Sequence, residues 1–161
     1  MEVVYGFYRS PLGPITVAYG EKGITFLDFC ECYEEGLLDN SFFEPLFRKF
    51  DLYFQGKPVS FKGFPIDYGA NQFRARVYKE VSKIPWGQVR TYKQVAQALG
   101  TSPRAVGTAL AKNNVLILVP CHRVVAENGL GGYKRGVELK RKLLGLEGVD
   151  VENLFASGRK R

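Results

Sequence analysis

The hydrophobic period of this chain changes once, and that change restricts it to a single fold class. Up to residue 29, apolar positions alternate and turn residues interrupt them. The runs are Val3-Val4-Tyr5-Gly6-Phe7-Tyr8, Ile15-Thr16-Val17-Ala18-Tyr19 and Ile24-Thr25-Phe26-Leu27-Asp28-Phe29, separated by Ser10-Pro11-Leu12-Gly13-Pro14 and Gly20-Glu21-Lys22-Gly23. This pattern predicts an antiparallel meander of about three strands. From Phe42 to Phe54 the spacing becomes three and four (Phe43, Leu46, Phe47, Phe50, Phe54), which predicts a helix closed by Gly56 and Pro58. Phe64-Pro65-Ile66-Asp67-Tyr68-Gly69 reads as a linker. The expectation is an α+β protein with two lobes: residues 1–68, an antiparallel sheet plus helix, and residues 69–161, mainly helical.

The second lobe follows a helical period punctuated by Gly and Pro. Phe73, Val77, Val81 and Ile84 predict a helix over 72–84 that stops at Pro85-Trp86-Gly87. Thr91 can cap a helix from Tyr92 to Leu99, ended by Gly100, and Ser102-Pro103 opens another from Pro103 to about Lys112. Two short helices joined by a tight Gly-containing turn make a helix-turn-helix candidate. Val115–Val119 reads as a buried strand leading to Pro120-Cys121-His122-Arg123, and residues 137–146 as a last helix.

Charge divides at the linker. Residues 1–68 hold 6 Lys+Arg against 10 Asp+Glu, and residues 69–161 hold 17 against 6. A lobe this basic suits a polyanion, although a salt-bridged solvated surface would show the same count. The helix Arg104-Ala105-Val106-Gly107-Thr108-Ala109-Leu110 is rich in small residues. Close helix packing explains them, and so does close approach to a nucleic-acid minor groove with Arg104 leading.

The chain has one His and three Cys, and among the cysteines only Cys30 and Cys32 lie close in sequence. Paired-imidazole zinc sites and HExxH helices are excluded, and neither a metal nor a cofactor is expected. No apolar run is long enough to span a bilayer, and Met1-Glu2-Val3-Val4 does not open a secretory signal, so a cytoplasmic protein is expected. Cys30 and Cys32, on one strand face, sit at the edge of disulfide reach unless the chain bends after Phe29. Cys121 is the candidate nucleophile, with His122 and Arg123 adjoining and able to favour thiolate. On an extended strand His122 would point away from it, so the chain must turn at Cys121 or a water must bridge the pair. A buried inert thiol is the plainer alternative.

The run Pro120-Cys121-His122-Arg123-Val124 resembles the active-site motif of the O6-alkylguanine-DNA alkyltransferases. The similarity extends over most of the chain. It takes in Ser10-Pro11-Leu12-Gly13, Tyr53-Phe54-Gln55-Gly56-Lys57, Ile84-Pro85-Trp86-Gly87-Gln88-Val89-Arg90-Thr91-Tyr92, Ser102-Pro103-Arg104-Ala105-Val106-Gly107, Asn128-Gly129 and Leu143-Leu144-Gly145-Leu146-Glu147-Gly148. The resemblance implies a ribonuclease-H-like first lobe and a winged helix-turn-helix second lobe. It implies irreversible, stoichiometric transfer of an alkyl group from O6 of guanine, with O4 of thymine a further substrate, to Cys121 after nucleotide flipping. His122 would act as base through a water, Glu147 would polarise it, Asn113 would brace the turn, and Tyr92 would protonate the leaving guanine.

By the same resemblance, Arg104 would fill the gap in the stack, with Tyr92, Lys93, Thr101, Ala105 and Gly107 along the DNA. Leu110, Val124, Tyr133 and Lys134 would wall the base pocket, and backbone carbonyls near Cys121 and Val124 would read the guanine amino group. The partner implied is double-stranded DNA carrying O6-alkylguanine, bound by a monomer that can act cooperatively on DNA. Three features depart from the family pattern. Asn114 and Leu116 replace two prolines, the Gly129–Tyr133 loop is one residue shorter, and Lys134-Arg135 stand where small residues follow the tyrosine, which narrows the expected pocket mouth. A lesion-binding module without chemistry and a Cys-His hydrolase are the competing readings. The first is disfavoured by Cys121, the second by the lack of a separately placed imidazole.

Overall fold

The computed structural model describes residues 3–155. It forms two compact units, Met1–Tyr68 with Asn114–Leu116, and Gly69–Asn113 with Ile117–Arg161. Positions 1–2 and 156–161 of the expected lobes, and with them the start of the N-terminal reading, lie outside the described residues.

In the first unit the meander forms as the alternation predicts. Strands β1 (Val4–Ser10), β2 (Gly13–Gly20) and β3 (Gly23–Asp28) make one antiparallel sheet in that order. Ile15, Val17, Ile24 and Leu27 are buried on it. The helix α1 (Glu44–Tyr53) starts later than its apolar stripe, because Asn40–Phe43 is a 3-10 turn and Pro45 opens the α-helix. Leu46 and Phe50 of the predicted face are buried and Phe47 and Phe54 half-buried, Tyr53, outside that stripe, is buried as well, and the Phe50 ring lies 5.2 Å from Tyr8 of β1. Residues 114–116 return to this unit: Leu27 donates to the Asn114 carbonyl and accepts from the Leu116 amide, each at 2.8 Å.

That return overturns the expected strand over Val115–Val119. Val115 makes a single parallel bridge to Leu27, and the chain then turns. Ile117 sits at φ 70°, a left-handed conformation that breaks an extended run and strains a β-branched residue. An apolar run reports burial, and these five residues are all buried without being a strand.

The second unit starts with α2 (Gln72–Val81), capped by Asn71, whose side chain accepts from the Arg74 amide. It ends before Ile84, which lies in the following turn. Strand β4 (Arg90–Thr91) leads into α3 (Tyr92–Leu99) through a full capping box. The Thr91 hydroxyl accepts from the Gln94 amide at 3.0 Å, and the Gln94 side chain accepts from the Thr91 amide at 2.8 Å. Gly100, at φ 70°, takes the left-handed position that ends α3 and turns the chain into α4 (Pro103–Ala111), capped by Ser102. Val95, Ala96, Val106, Ala109 and Leu110 bury the inner faces of this pair. The buried Tyr78 of α2 donates to the Ala109 carbonyl at 2.7 Å. Strand β5 (Val124–Val125) pairs in parallel with β4, a ladder of two residues too short to show a period in sequence. Helices α5 (Val137–Leu146) and α6 (Val151–Leu154) complete the unit.

Candidate active site

Cys121–Arg123 is a 3-10 turn between Pro120 and β5. The turn resolves the geometric objection to an extended Cys-His pair, because successive side chains no longer alternate across a strand. Cys121 is only 5% exposed. Asn113, buried just after α4, donates from Nδ2 to the Val119 carbonyl at 3.1 Å and to Cys121 Sγ at 3.3 Å. One side chain thus fixes both the turn and the sulfur. Burial pushes the thiol up, while the Asn113 bond and the charges of Lys140 and Lys134 pull it down. The resting form is therefore the neutral thiol.

His122 has no exposed surface, and its Nε2 lies 2.7 Å from Glu147 Oε2. A carboxylate accepts, so Nε2 carries the proton and Nδ1 holds the free lone pair. That Nδ1 is buried with no hydrogen-bond partner among the described residues. Arg123 does not adjoin the sulfur as expected. Its Nε and Nη2 donate to Glu147 at 2.8 and 3.0 Å, and its Nη1 donates to the Ile84 carbonyl at 2.6 Å. Burial would raise the Glu147 carboxyl, but His122 and Arg123 overcome it and hold the pKa at about 2. Arg123 supplies the counter-charge, so the imidazole need not. Burial accordingly lowers the His122 pKa despite the carboxylate, leaving it neutral and basic at Nδ1.

Lys140 belongs to the site although no motif points to it. It is fully buried on α5, and its Nζ donates to the Val124 carbonyl at 2.6 Å and the Gly132 carbonyl at 2.9 Å. Nζ also sits 5.7 Å from the centre of the Tyr92 ring. Burial lowers its pKa from 10.5 to about 8. The sequence does carry a signal, because Lys140 and Glu147 share one helical face with Leu143 and Leu144, positions a core-facing stripe fills with apolar residues. The Val124 carbonyl and the Cys121 carbonyl, which accepts from the Val124 amide, each already hold one bond.

Tyr92 opens α3, and its hydroxyl is bonded by the Gly132 backbone. Gly131 (φ 75°) packs so closely on it that a Cβ there would lie 2.7 Å from the hydroxyl oxygen. Tyr133 stands edge-on to His122, ring centres 6.5 Å apart, and Lys134 Nζ donates to the Asn113 carbonyl at 3.3 Å. The sequence-predicted Asn113, Cys121, His122, Glu147, Tyr133 and Lys134 are thus linked in one network, with Tyr92 and Val124 joined to it through Lys140 and Gly132. Leu110 is buried on α4, further along the helix from Arg104.

Lys93 and Arg104 are exposed, and Ala105, Gly107 and Thr101 are half-buried around the α3–α4 turn. Gly107 faces Tyr92, 3.9 Å from where a Cβ would stand, so part of the small-residue pattern is helix packing. Arg74, Arg104 and Lys112 line an open cleft of about 440 Å³ with the Asn71 and Ser102 caps. In the first unit the chain bends at Phe29–Cys30, bringing the Cα atoms of Cys30 and Cys32 to 5.6 Å with the sulfurs joined as a disulfide.

Two family descriptions match this chain. The 6-O-methylguanine DNA methyltransferase ribonuclease-like domain matches residues 3–68, and the 6-O-methylguanine DNA methyltransferase DNA binding domain matches residues 72–149. The methylated-DNA–protein-cysteine methyltransferase of Sulfurisphaera tokodaii is 63% identical over 155 residues, covering 92% of this chain and 96% of its own. The crystal structure of Mycobacterium tuberculosis O6-methylguanine methyltransferase is similar at a TM-score of 0.80 and 36% identity, over 91% of this chain and 93% of that one. The same organism's protein in complex with DNA matches at 0.80 and 34%, over 94% and 98%. With both lobes matched and high identity along nearly its whole length, the chain belongs to the 6-O-methylguanine DNA methyltransferase family.

Proposed function

We propose that this protein reverses alkylation damage in duplex DNA by taking the alkyl group from O6 of guanine onto Cys121. The observation that carries the reading is the pairing of a held sulfur with an oriented base. Asn113 fixes Sγ, Glu147 fixes the imidazole tautomer, and the one unbonded buried nitrogen of His122 is the basic one. In the reaction an S–C bond forms as the C–O6 bond breaks. The thiol proton passes through a water to His122 Nδ1, the departing guanine takes a proton from the Tyr92 hydroxyl, and the His122 proton then returns through water to the Tyr92 phenolate. The net exchange is thiol plus alkylguanine giving thioether plus guanine. No water or thiol in such a site readily cleaves a thioether, so each molecule acts once.

The helix pair α3–α4 is the DNA-reading element in this proposal. Arg104 enters the stack through the minor groove, and Lys93, Thr101, Ala105 and Gly107 follow the backbone. Leu110, Val124, Tyr133 and Lys134 enclose the flipped base. The DNA complex of the similar Mycobacterium tuberculosis protein supports DNA as the partner. The protein acts as a monomer alongside chromosomal DNA, with association on DNA as an added property. No helix among the described residues is long and apolar enough to cross a membrane.

Duplex DNA carrying labelled O6-methylguanine tests the proposal. Label should move to protein at one group per molecule and map to Cys121, and Cys121→Ser should bind the DNA and take nothing. Label remaining on DNA, or mapping to another residue, refutes it.

A further inference from the structure

We propose that Tyr78 is a positioning residue for alkyl transfer, whose hydroxyl keeps the last turn of α4 tight and so turns Asn113 onto the Cys121 sulfur. The inference rests on the alkyl-transfer reading above. Asn113 stands just past the end of α4, so the direction of its side chain depends on how that helix ends. In a continuing α-helix the Ala109 carbonyl would accept from the Asn113 amide, four residues on. Here the Asn113 amide donates to the Leu110 carbonyl and the Lys112 amide to the Ala109 carbonyl, each at 3.1 Å. Both bonds span three residues, so the helix tightens as it ends.

A carbonyl oxygen has two lone pairs, and Tyr78 takes the second one of Ala109. Its hydroxyl reaches across from α2 and donates at 2.7 Å. Tyr78 and Ala109 are both buried, so water does not compete for the bond. Tyr78 thereby occupies the acceptor that would draw the Asn113 amide back into α-helical geometry. With the turn kept tight, Asn113 Nδ2 reaches the Val119 carbonyl at 3.1 Å and Cys121 Sγ at 3.3 Å. Helix α2 packs against both α4 and the Cys121–Arg123 turn, so the hydroxyl is carried by the element that these two share. Burial pushes the Tyr78 phenol above its ordinary range, which keeps it a neutral donor while the reaction runs.

Tyr78→Phe keeps the ring and removes the donor. At saturating duplex DNA its transfer rate from O6-methylguanine should fall at least about twofold, the least effect of one buried hydrogen bond, with DNA affinity unchanged. A packing role alone would leave the thiol where it is. Asn113 helps to pull the Cys121 pKa down, so a loosened bond should carry the Cys121 titration midpoint upward by about half a pH unit. Carbon NMR of cysteine labelled at Cβ follows that midpoint without DNA. In an Asn113→Ala background Tyr78→Phe should slow transfer less than it does alone. An equal or larger loss in that background, a midpoint that stays or falls, or a loss under about twofold in the single variant overturns the proposal. If Asn113→Ala does not fold, the rate and midpoint of Tyr78→Phe decide by themselves. Wild-type protein that accepts no label at Cys121 overturns the alkyl-transfer reading instead, and the midpoint still tests the link from Tyr78 to Asn113.

Discussion

Replacing Lys140 with methionine separates the burden of its buried charge from the support of its hydrogen bonds. The ammonium is fully buried, and its pKa falls from 10.5 to about 8. A displacement of that size makes the charged form roughly 3 kcal/mol more costly in the fold than in the open chain. Methionine removes that burden, but it leaves the Val124 and Gly132 carbonyls without their donor, at about 1–3 kcal/mol each. The two effects oppose each other, so stability at pH 7 alone decides nothing.

The pH dependence does decide. Between about pH 8 and 10.5 the unfolded chain keeps the Lys140 proton while the folded chain releases it, so stability rises with pH across that window. By pH 9.5 the gain is about 2 kcal/mol, and methionine cannot have it. Urea unfolding at pH 7 and 9.5 measures this, with Cys121→Ser as the background for both proteins. That substitution removes the thiol titration coupled to Lys140. The wild-type side chain should gain about 2 kcal/mol over methionine between the two pH values. A difference below about 0.5 kcal/mol, or of opposite sign, would show that the two carbonyls hold the proton and that burial does not control this lysine.

Four further outcomes are expected. Arg104→Ala should slow transfer from duplex DNA at least about tenfold and leave free alkylguanine nearly unaffected, because the side chain acts on the stack; stopped-flow rates on both substrates check it, and equal losses reject it. Glu147→Gln should destabilise by about 3–5 kcal/mol by stranding Arg123; it should also remove the stability that wild type loses as pH falls from 4.5 towards about 2, a depressed carboxyl being stabilising above its unfolded pKa, as urea midpoints would show. A thiol count on unreduced, denatured protein should give one, from Cys121, with three rejecting the Cys30–Cys32 bridge. Reaction with a benzylated guanine should lower the thermal midpoint by the equivalent of roughly 1–3 kcal/mol, as an enlarged side chain enters a packed site; an unchanged midpoint would show spare room around Cys121.

Elements with strong local signals are legible in the amino-acid sequence itself. The capping residues Thr91 and Ser102, with Gly100 between them, set the ends of α3 and α4 because their chemistry is local. The Val115–Val119 run misleads for the complementary reason. Apolar content records burial, and nothing in it announces the left-handed turn at Ile117. At the site, Cys121, His122 and Glu147 follow from a motif, and the neighbours of Arg123 do not. Adjacency in sequence places its charge beside the sulfur, whereas the 3-10 turn rotates it onto Glu147 and the Ile84 carbonyl. Lys140 is recoverable in principle, as a cation standing in an apolar register. Its acceptors lie 8 and 16 residues away, one in a loop and one on the two-residue strand β5, so only the three-dimensional arrangement identifies them.

The resting state of Cys121 follows from how the surrounding charges are spent. Arg123 already balances Glu147, so the carboxylate orients the imidazole without charging it. The His122 imidazole is neutral, and burial keeps the thiol's proton in place. A standing thiolate would react with any small electrophile or oxidant that reached it. For a protein consumed by one transfer, each such encounter would be a molecule lost. A neutral thiol on a residue that is 5% exposed, in a site whose imidazole keeps an unbonded lone pair, withholds reactivity until a substrate enters. Discrimination is then exercised at entry, by the work of flipping a nucleotide, and the sulfur itself need not distinguish one electrophile from another.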